Sequence, residues 1–128
     1  MESPAHVLRA EDLIRPGQQT RTAKFEGADY EAGASFFYVD NQPGQGVGLH
    51  WHPYSETWIV VEGEVTFRVG DARGDATDTE FTSAVGTPGT IATIPPEVHH
   101  GFENTGQGTL RMVCIHASDR IIQFDLED

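Results

Sequence analysis

At 128 residues and 38 % hydrophobic side chains, the chain is sized for one domain with its own core, burying roughly two-thirds of its unfolded surface. Twenty acidic residues against eight basic ones give a formal charge of −12, a surface that repels phosphate backbones and anionic lipid and so disfavours nucleic-acid and membrane partners. The single cysteine, Cys114, rules out an intrachain disulfide and fits a reducing, cytoplasmic compartment, and the opening Met1–His6 lacks the basic-then-apolar pattern of a secretion signal.

In chain order, residues 1–22 are polar and mixed and read as an arm or short edge element. Ala34–Val39 is rich in strand formers. Asp40–Gly48, with its Asn-Gln-Pro-Gly run and further glycines, reads as a break, and Leu49–His52 as a short strand. Glu56–Val61 is apolar on both faces toward its end, the mark of a strand covered on both sides. Glu64–Val69 alternates cleanly, with Val65, Phe67 and Val69 on one face, and the Glu62-Gly63 turn predicts a tight hairpin of 56–61 with 64–69. Residues 70–80 form an acidic loop; Ala76 stands where a calcium loop needs glycine, and the last ligand position lacks an acid. Phe81–Val85 and Thr90–Ile94 are further strands, Pro95-Pro96 ends pairing, Phe102 begins another strand, and Leu110–His116 is a strong final one. The apolar tail Ile121–Leu126 needs cover. About eight short strands, fourteen glycines, seven prolines and no long helix predict an all-β sandwich or barrel.

The chemistry concentrates at a few residues. His50 and His52, two apart, face the same way on a strand, so their imidazoles can share one ion. Glu56 brings a carboxylate within reach, and His100 would arrive from a neighbouring strand. Three imidazoles and one carboxylate suit a divalent Fe, Mn, Ni, Zn or Cu, and four protein donors on an octahedral ion leave two positions open.

The spacing Gly44, five residues, His50-x-His52, three residues, Glu56, six residues, Gly63 resembles the first motif of the cupin superfamily. Gly89, five residues, Pro95, then His100, three residues and Asn104 resembles the second. The resemblance covers residues 44–104 and places the chain with small single-domain cupins. It implies a cupin double-stranded β-helix, a jelly-roll barrel, with His50, His52, Glu56 and His100 holding one divalent transition metal per chain. The barrel core would take residues 34–118, with 1–33 as an arm or edge strands joining it and 119–128 as a tail packed on the barrel or on a dimer partner. One departure stands out: Glu97 occupies the position where the second motif usually has glycine, which leaves the ligands intact but alters the local backbone or puts a carboxylate near the barrel mouth. His99 competes with His100; if 100–104 is extended, His100, Phe102 and Asn104 share the inner face and His99 takes the other.

By the same parity Trp58 and Val60 face inward with Glu56, and Leu110, Met112, Cys114 and His116 share one face. Trp58, Phe102 and Met112 are therefore candidate pocket walls, and Tyr54 and His116 candidate catalytic groups. Ile59 and Val61 fall on the outer face, which together with the resemblance implies a homodimer. The leading functional reading is a metal-dependent enzyme, of dioxygenase or isomerase/lyase type, acting on a small organic molecule inside the barrel. A non-catalytic metal- or metabolite-binding module is the alternative. A sugar-nucleotide epimerase of the same fold is disfavoured, since it needs basic residues for the diphosphate.

Overall fold

Where apolar residues alternate along a strand, one face must find a partner layer, and here two sheets supply it for each other. The computed structural model describes residues 4–127. Among these are two short 3-10 turns, Ala10–Leu13 and Gly27–Tyr30, and ten strands. The strands are β1 (Ala23–Phe25), β2 (Ser35–Asn41), β3 (Gly46–Trp51), β4 (Glu56–Glu62), β5 (Val65–Arg73), β6 (Phe81–Gly86), β7 (Ile91–Ile94), β8 (Val98–Asn104), β9 (Leu110–His116) and β10 (Phe124–Asp125). They form two antiparallel five-stranded sheets, ordered β1-β2-β9-β4-β7 and β10-β3-β8-β5-β6, face to face as a jelly roll. Among the described residues no helix is long and apolar enough to cross a membrane.

The inner faces follow the sequence parity. Trp58 and Val60 of β4, Val65 and Phe67 of β5, Phe102 of β8 and Leu110, Met112 and Cys114 of β9 are all buried between the sheets. Trp58 stacks on Phe67 across the gap, ring centroids 4.7 Å apart, and meets Phe102 edge-on at 5.7 Å. Such aromatic contacts add about 0.5–1.5 kcal/mol each beyond the burial itself.

The predicted hairpin of 56–61 with 64–69 does not form. β4 pairs with β7 and β9, while β5 pairs with β6 and β8 in the opposite sheet. The Glu62-Gly63 corner carries the chain across the gap, so Trp58 and Phe67 meet face to face instead of edge to edge. Gly63 is required there: it sits at φ +88°, and a Cβ would collide with the Thr109 carbonyl. Alternation predicts the buried face equally well in either arrangement, so it cannot choose between them.

Two boundaries also move. β3 begins at Gly46, inside the glycine run read as a break, because β8 passes so close that a Cβ at Gly46 would overlap the Phe102 carbonyl. β8 begins at Val98, four residues before Phe102, directly after the Pro95-Pro96 turn. Glu97, in the glycine position of the motif, adopts the left-handed conformation with φ +69°. Its N–H donates to the His52 carbonyl (2.8 Å) and its own carbonyl accepts from Gly74 N–H (2.9 Å), while its side chain is exposed beside Gly74. The departure thus leaves the backbone turn in place. The tail lies along the free edge of β3, where β10 pairs with Trp51 and His50 and Phe124 stacks on Trp51 at 4.4 Å.

Candidate metal centre

β3, the start of β4 and the start of β8 converge at one end of the sandwich. His50 of β3 registers against His100 of β8, and Glu56 opens β4 opposite His116 of β9. One donor atom from each of His50, His52, Glu56 and His100 lies within 4.8 Å of the others, and all four residues are buried. The four sequence-predicted residues are thus brought together, while His99 is not. His99 is equally buried but on the outer face of β8, where its Nε2 lies 2.7 Å from the Gly74 carbonyl.

Each of the three imidazoles is oriented by a backbone carbonyl at its Nδ1: Gly48 for His50, Ile122 for His52 and Val98 for His100, all at 2.7 Å. A carbonyl only accepts, so each Nδ1 carries the proton and each Nε2 keeps its lone pair for the interior, the arrangement that metal-ligating histidines adopt. Two of those Nε2 atoms crowd one carboxylate oxygen, Glu56 Oε1: His100 at 2.9 Å and His52 at 3.1 Å. The His52 contact is not aligned as a hydrogen bond, and that Nε2 is buried without a partner. Electron-rich atoms so close together call for positive charge among them, either extra protons or a metal ion. The donor set fits a divalent ion by its chemistry, three imidazole nitrogens and one carboxylate gathered within 4.8 Å of one another.

Electrostatics point the same way. Burial, then the neighbouring His100, push His50 down to about 4, so this imidazole is neutral and able to ligate at neutral pH. Burial pushes the Glu56 carboxyl up, but the hydrogen bonds that His100, His116 and His52 donate when they carry a proton at Nε2 outweigh it and hold the group well below the usual carboxylate range. Burial, followed by the Glu56 charge, raises the Cys114 thiol well above its ordinary value and keeps it protonated.

Glu56 has two distinct oxygens. Oε1 faces His52 and His100, while Oε2 accepts from Trp58 Nε1–H at 2.7 Å and lies 3.3 Å from His116 Nε2. The Tyr54 hydroxyl accepts from Ile122 N–H (3.2 Å) and donates to His116 Nδ1 (2.7 Å), which leaves the proton of a neutral His116 on Nε2, aimed at Oε2. Burial raises the Tyr54 phenol to about 12, so it keeps its proton. Tyr54 and His116, the two candidate catalytic groups, thus form a chain that ends on the outward oxygen of Glu56.

A cavity of about 330 Å³ opens from this cluster between the sheets. His50, Glu56, Phe102 and His116 line it, whereas Trp58 and Met112, also expected as walls, do not. Trp58 is held in the core by its stack on Phe67 and its bond to Glu56, and Met112 is fully enclosed. The lining also includes residues that the sequence does not single out: Arg15, Gln18, Lys24 and Gln123. The signals available for them were slight, namely the only lysine of the chain and a Pro16-Gly17 turn beside Arg15.

The family described as "Cupin domain" matches residues 37–116. No curated protein matches the chain. Among solved structures, an oxalate decarboxylase of Bacillus subtilis described with Mn(II) centres superposes with a TM-score of 0.77 at 20 % identity, covering 92 % of this chain and 31 % of that one. An oxalate oxidase superposes at 0.73 and 22 % identity, covering 92 % and 60 %. Peruvianin-I, described as a cysteine peptidase from Thevetia peruviana latex, superposes at 0.71 and 18 % identity, covering 94 % and 80 %. The chain spans about a third of the decarboxylase and three-fifths of the oxidase. At these identities the likeness is one of fold, and a fold shared by proteins so differently described fixes no reaction.

Proposed function

This chain belongs to the cupin domain family, and on that premise we propose that it is a metal-dependent enzyme. His50, His52, Glu56 and His100 hold one divalent transition metal, and the substrate is a small organic molecule bound in the cavity beside them. The carrying observation is the orientation of the three imidazoles: every Nδ1 is committed to a carbonyl, and the Nε2 atoms gather round Glu56 Oε1. When bound, such an ion supplies Lewis acidity, polarising a substrate oxygen or binding dioxygen, which suits isomerase/lyase or dioxygenase chemistry. Fe, Mn, Ni, Zn and Cu all suit the donors, and the Mn(II) described for the decarboxylase makes Mn the first to try.

The chain's own groups have definable tasks. Trp58 and His116 pin Oε2, so Glu56 presents Oε1 inward in one orientation. Tyr54 holds the His116 tautomer and keeps its own proton. Phe37, Val39 and Phe102 give the cavity apolar walls that exclude bulk water. Turnover assays with Fe(II)-, Mn(II)-, Ni(II)- and Zn(II)-loaded protein on small organic acids, alcohols and ketones test the reading. Product formation that disappears in His52→Ala supports it, and inertness across the panel overturns it.

One observation favours a second reading, a non-catalytic binding module: among the described residues Glu56 is the only acid lining the cavity, so none of their carboxylates outside the ligand set stands ready as a general base. Tight binding of an organic ligand recovered unchanged after long incubation selects that reading. Two further expectations belong here. Val61 and Ile91, 50 % and 68 % exposed on the outer face of β4 and β7, support a homodimer through that face, which sedimentation equilibrium tests directly. A buried, reduced Cys114 suits a cytoplasmic location.

A further inference from the structure

Resting on the metal-site reading, we infer that the cavity's occupant is a small organic monocarboxylate, held at its anionic end by Arg15 with help from Lys24. The chain as a whole carries −12, yet among the described residues the cavity is lined by a single acid, Glu56, and by two cations, Arg15 and Lys24. With Glu56 engaged by the histidines, Arg15 and Lys24 are positive groups in the cavity wall of a negative protein, able to attract and orient an anion.

Both cations are placed by defined structure. Lys24 lies on β1, cross-strand from Phe37, which in turn faces Cys114, which faces Trp58. Residues in one such row share a face of the sheet, so Lys24 belongs to the inner face and its neighbours Ala23 and Phe25 to the outer. Arg15 opens a reverse turn with Pro16 and Gly17 at its centre, Gly17 at φ +85° as the third residue of a type II turn demands. The turn is braced by Gln18, whose amide oxygen accepts from Arg15 N–H (3.0 Å) and whose amide nitrogen donates to the Thr20 and Thr22 carbonyls (2.8 and 2.7 Å). Thr22 in turn ties the segment to β2 through Asp40 N–H.

Acids lie close by and share the charge of Lys24, but none of the described residues forms an ion pair with Arg15. Asp12, Glu26 and Asp29 flank Arg15 and Lys24 on the side away from the main cavity. Asp12 faces the Arg9 backbone, and Glu26 and Asp29 are both engaged by Arg120, at 3.7 and 2.9 Å. Lys24 reaches Glu26 only at 3.8 Å, and Arg15 has no ion-pair partner among the described residues. Arg15 thus brings one unpaired guanidinium to the cavity, which suits a monoanion and falls short of a diphosphate. A guanidinium fork matches the two oxygens of a carboxylate, and Leu13, Phe37, Val39 and Phe102 supply apolar wall for a carbon skeleton between Arg15 and the metal centre.

The test is isothermal titration of the full chain with glycolate, lactate, 2-oxobutanoate and benzoate, each paired with its neutral amide. It is run on Mn(II)-loaded and metal-free wild type and on Arg15→Gln. At least one acid is expected to bind, its amide at least tenfold more weakly, and Arg15→Gln to weaken the acid about tenfold or more while leaving the amide and the metal stoichiometry unchanged. Lys24→Gln, relieving a charge already shared with Glu26, has a smaller effect in the same direction. Equal affinity of an acid for wild type and Arg15→Gln, equal affinity of acid and amide, or no binding by any of the acids overturns the inference. A protein that takes up no metal but still binds acids through Arg15 would sink the metal reading and leave this one standing; full metal loading with no role for Arg15 would do the reverse.

Discussion

The cavity has two ends built on different principles. At the metal end, every functional group sits on or beside a strand: His50 on β3, Glu56 on β4, His100 on β8 and His116 on β9, each buried and each with its orientation fixed by a second group. At the arm end, Arg15 is exposed on a turn and Lys24 on a three-residue edge strand, held by Gln18 and Thr22 rather than by the core. The strand-built end is rigid because moving it means breaking the sandwich. The turn-built end can vary without cost to the fold, which is where selectivity among ligands is most easily tuned.

Perturbing the two ends should therefore give separable effects. The largest is expected from His52→Ala, which removes a ligand and should abolish stoichiometric metal binding; full metal content in that variant would refute the ligand assignment. Tyr54→Phe removes the hydroxyl that fixes His116 and should weaken metal affinity about tenfold, measured by chelator competition, with the stoichiometry retained. Unchanged affinity would mean that the Tyr54–His116 chain does not orient Glu56. Met112→Ala, in the core behind the site, should lower stability by about 2–5 kcal/mol in urea unfolding while metal binding survives. At the small end of the scale, Arg15→Gln and His99→Ala should both leave metal occupancy intact. A loss in the first would show that the two ends are coupled, and a loss in the second would transfer the ligand role from His100 to its neighbour.

The same contrast governs how much could be read from residues alone. At the metal end, strand parity alone speaks only for His50 and His52, two apart; that Glu56 and His100 join them is legible through the resemblance of the two spaced motifs to the cupin pattern. The inward faces of β4, β5 and β9 followed from alternation. What failed was everything set by the chain crossing between sheets. The 56–69 hairpin turned out to be a corner, since the same alternation serves edge-to-edge and face-to-face packing. Gly46 belongs to a run whose composition predicts a break, yet it lies on β3 and lets β8 pass. Trp58 and Met112 shared the inner face with pocket residues, but depth within the sandwich, which parity does not encode, put them in the core. The 15–24 segment was invisible as a functional element because its place over the cavity depends on pairing with β2, far along the chain.

The metal is tested most directly by the metal content of untagged protein purified without chelators, read by inductively coupled plasma mass spectrometry beside His52→Ala. Close to one divalent transition metal per wild-type chain, and none in the variant, is the predicted result. No metal in the wild type even after anaerobic loading would contradict it, and would mean that the imidazoles gathered round Glu56 are balanced by protons alone.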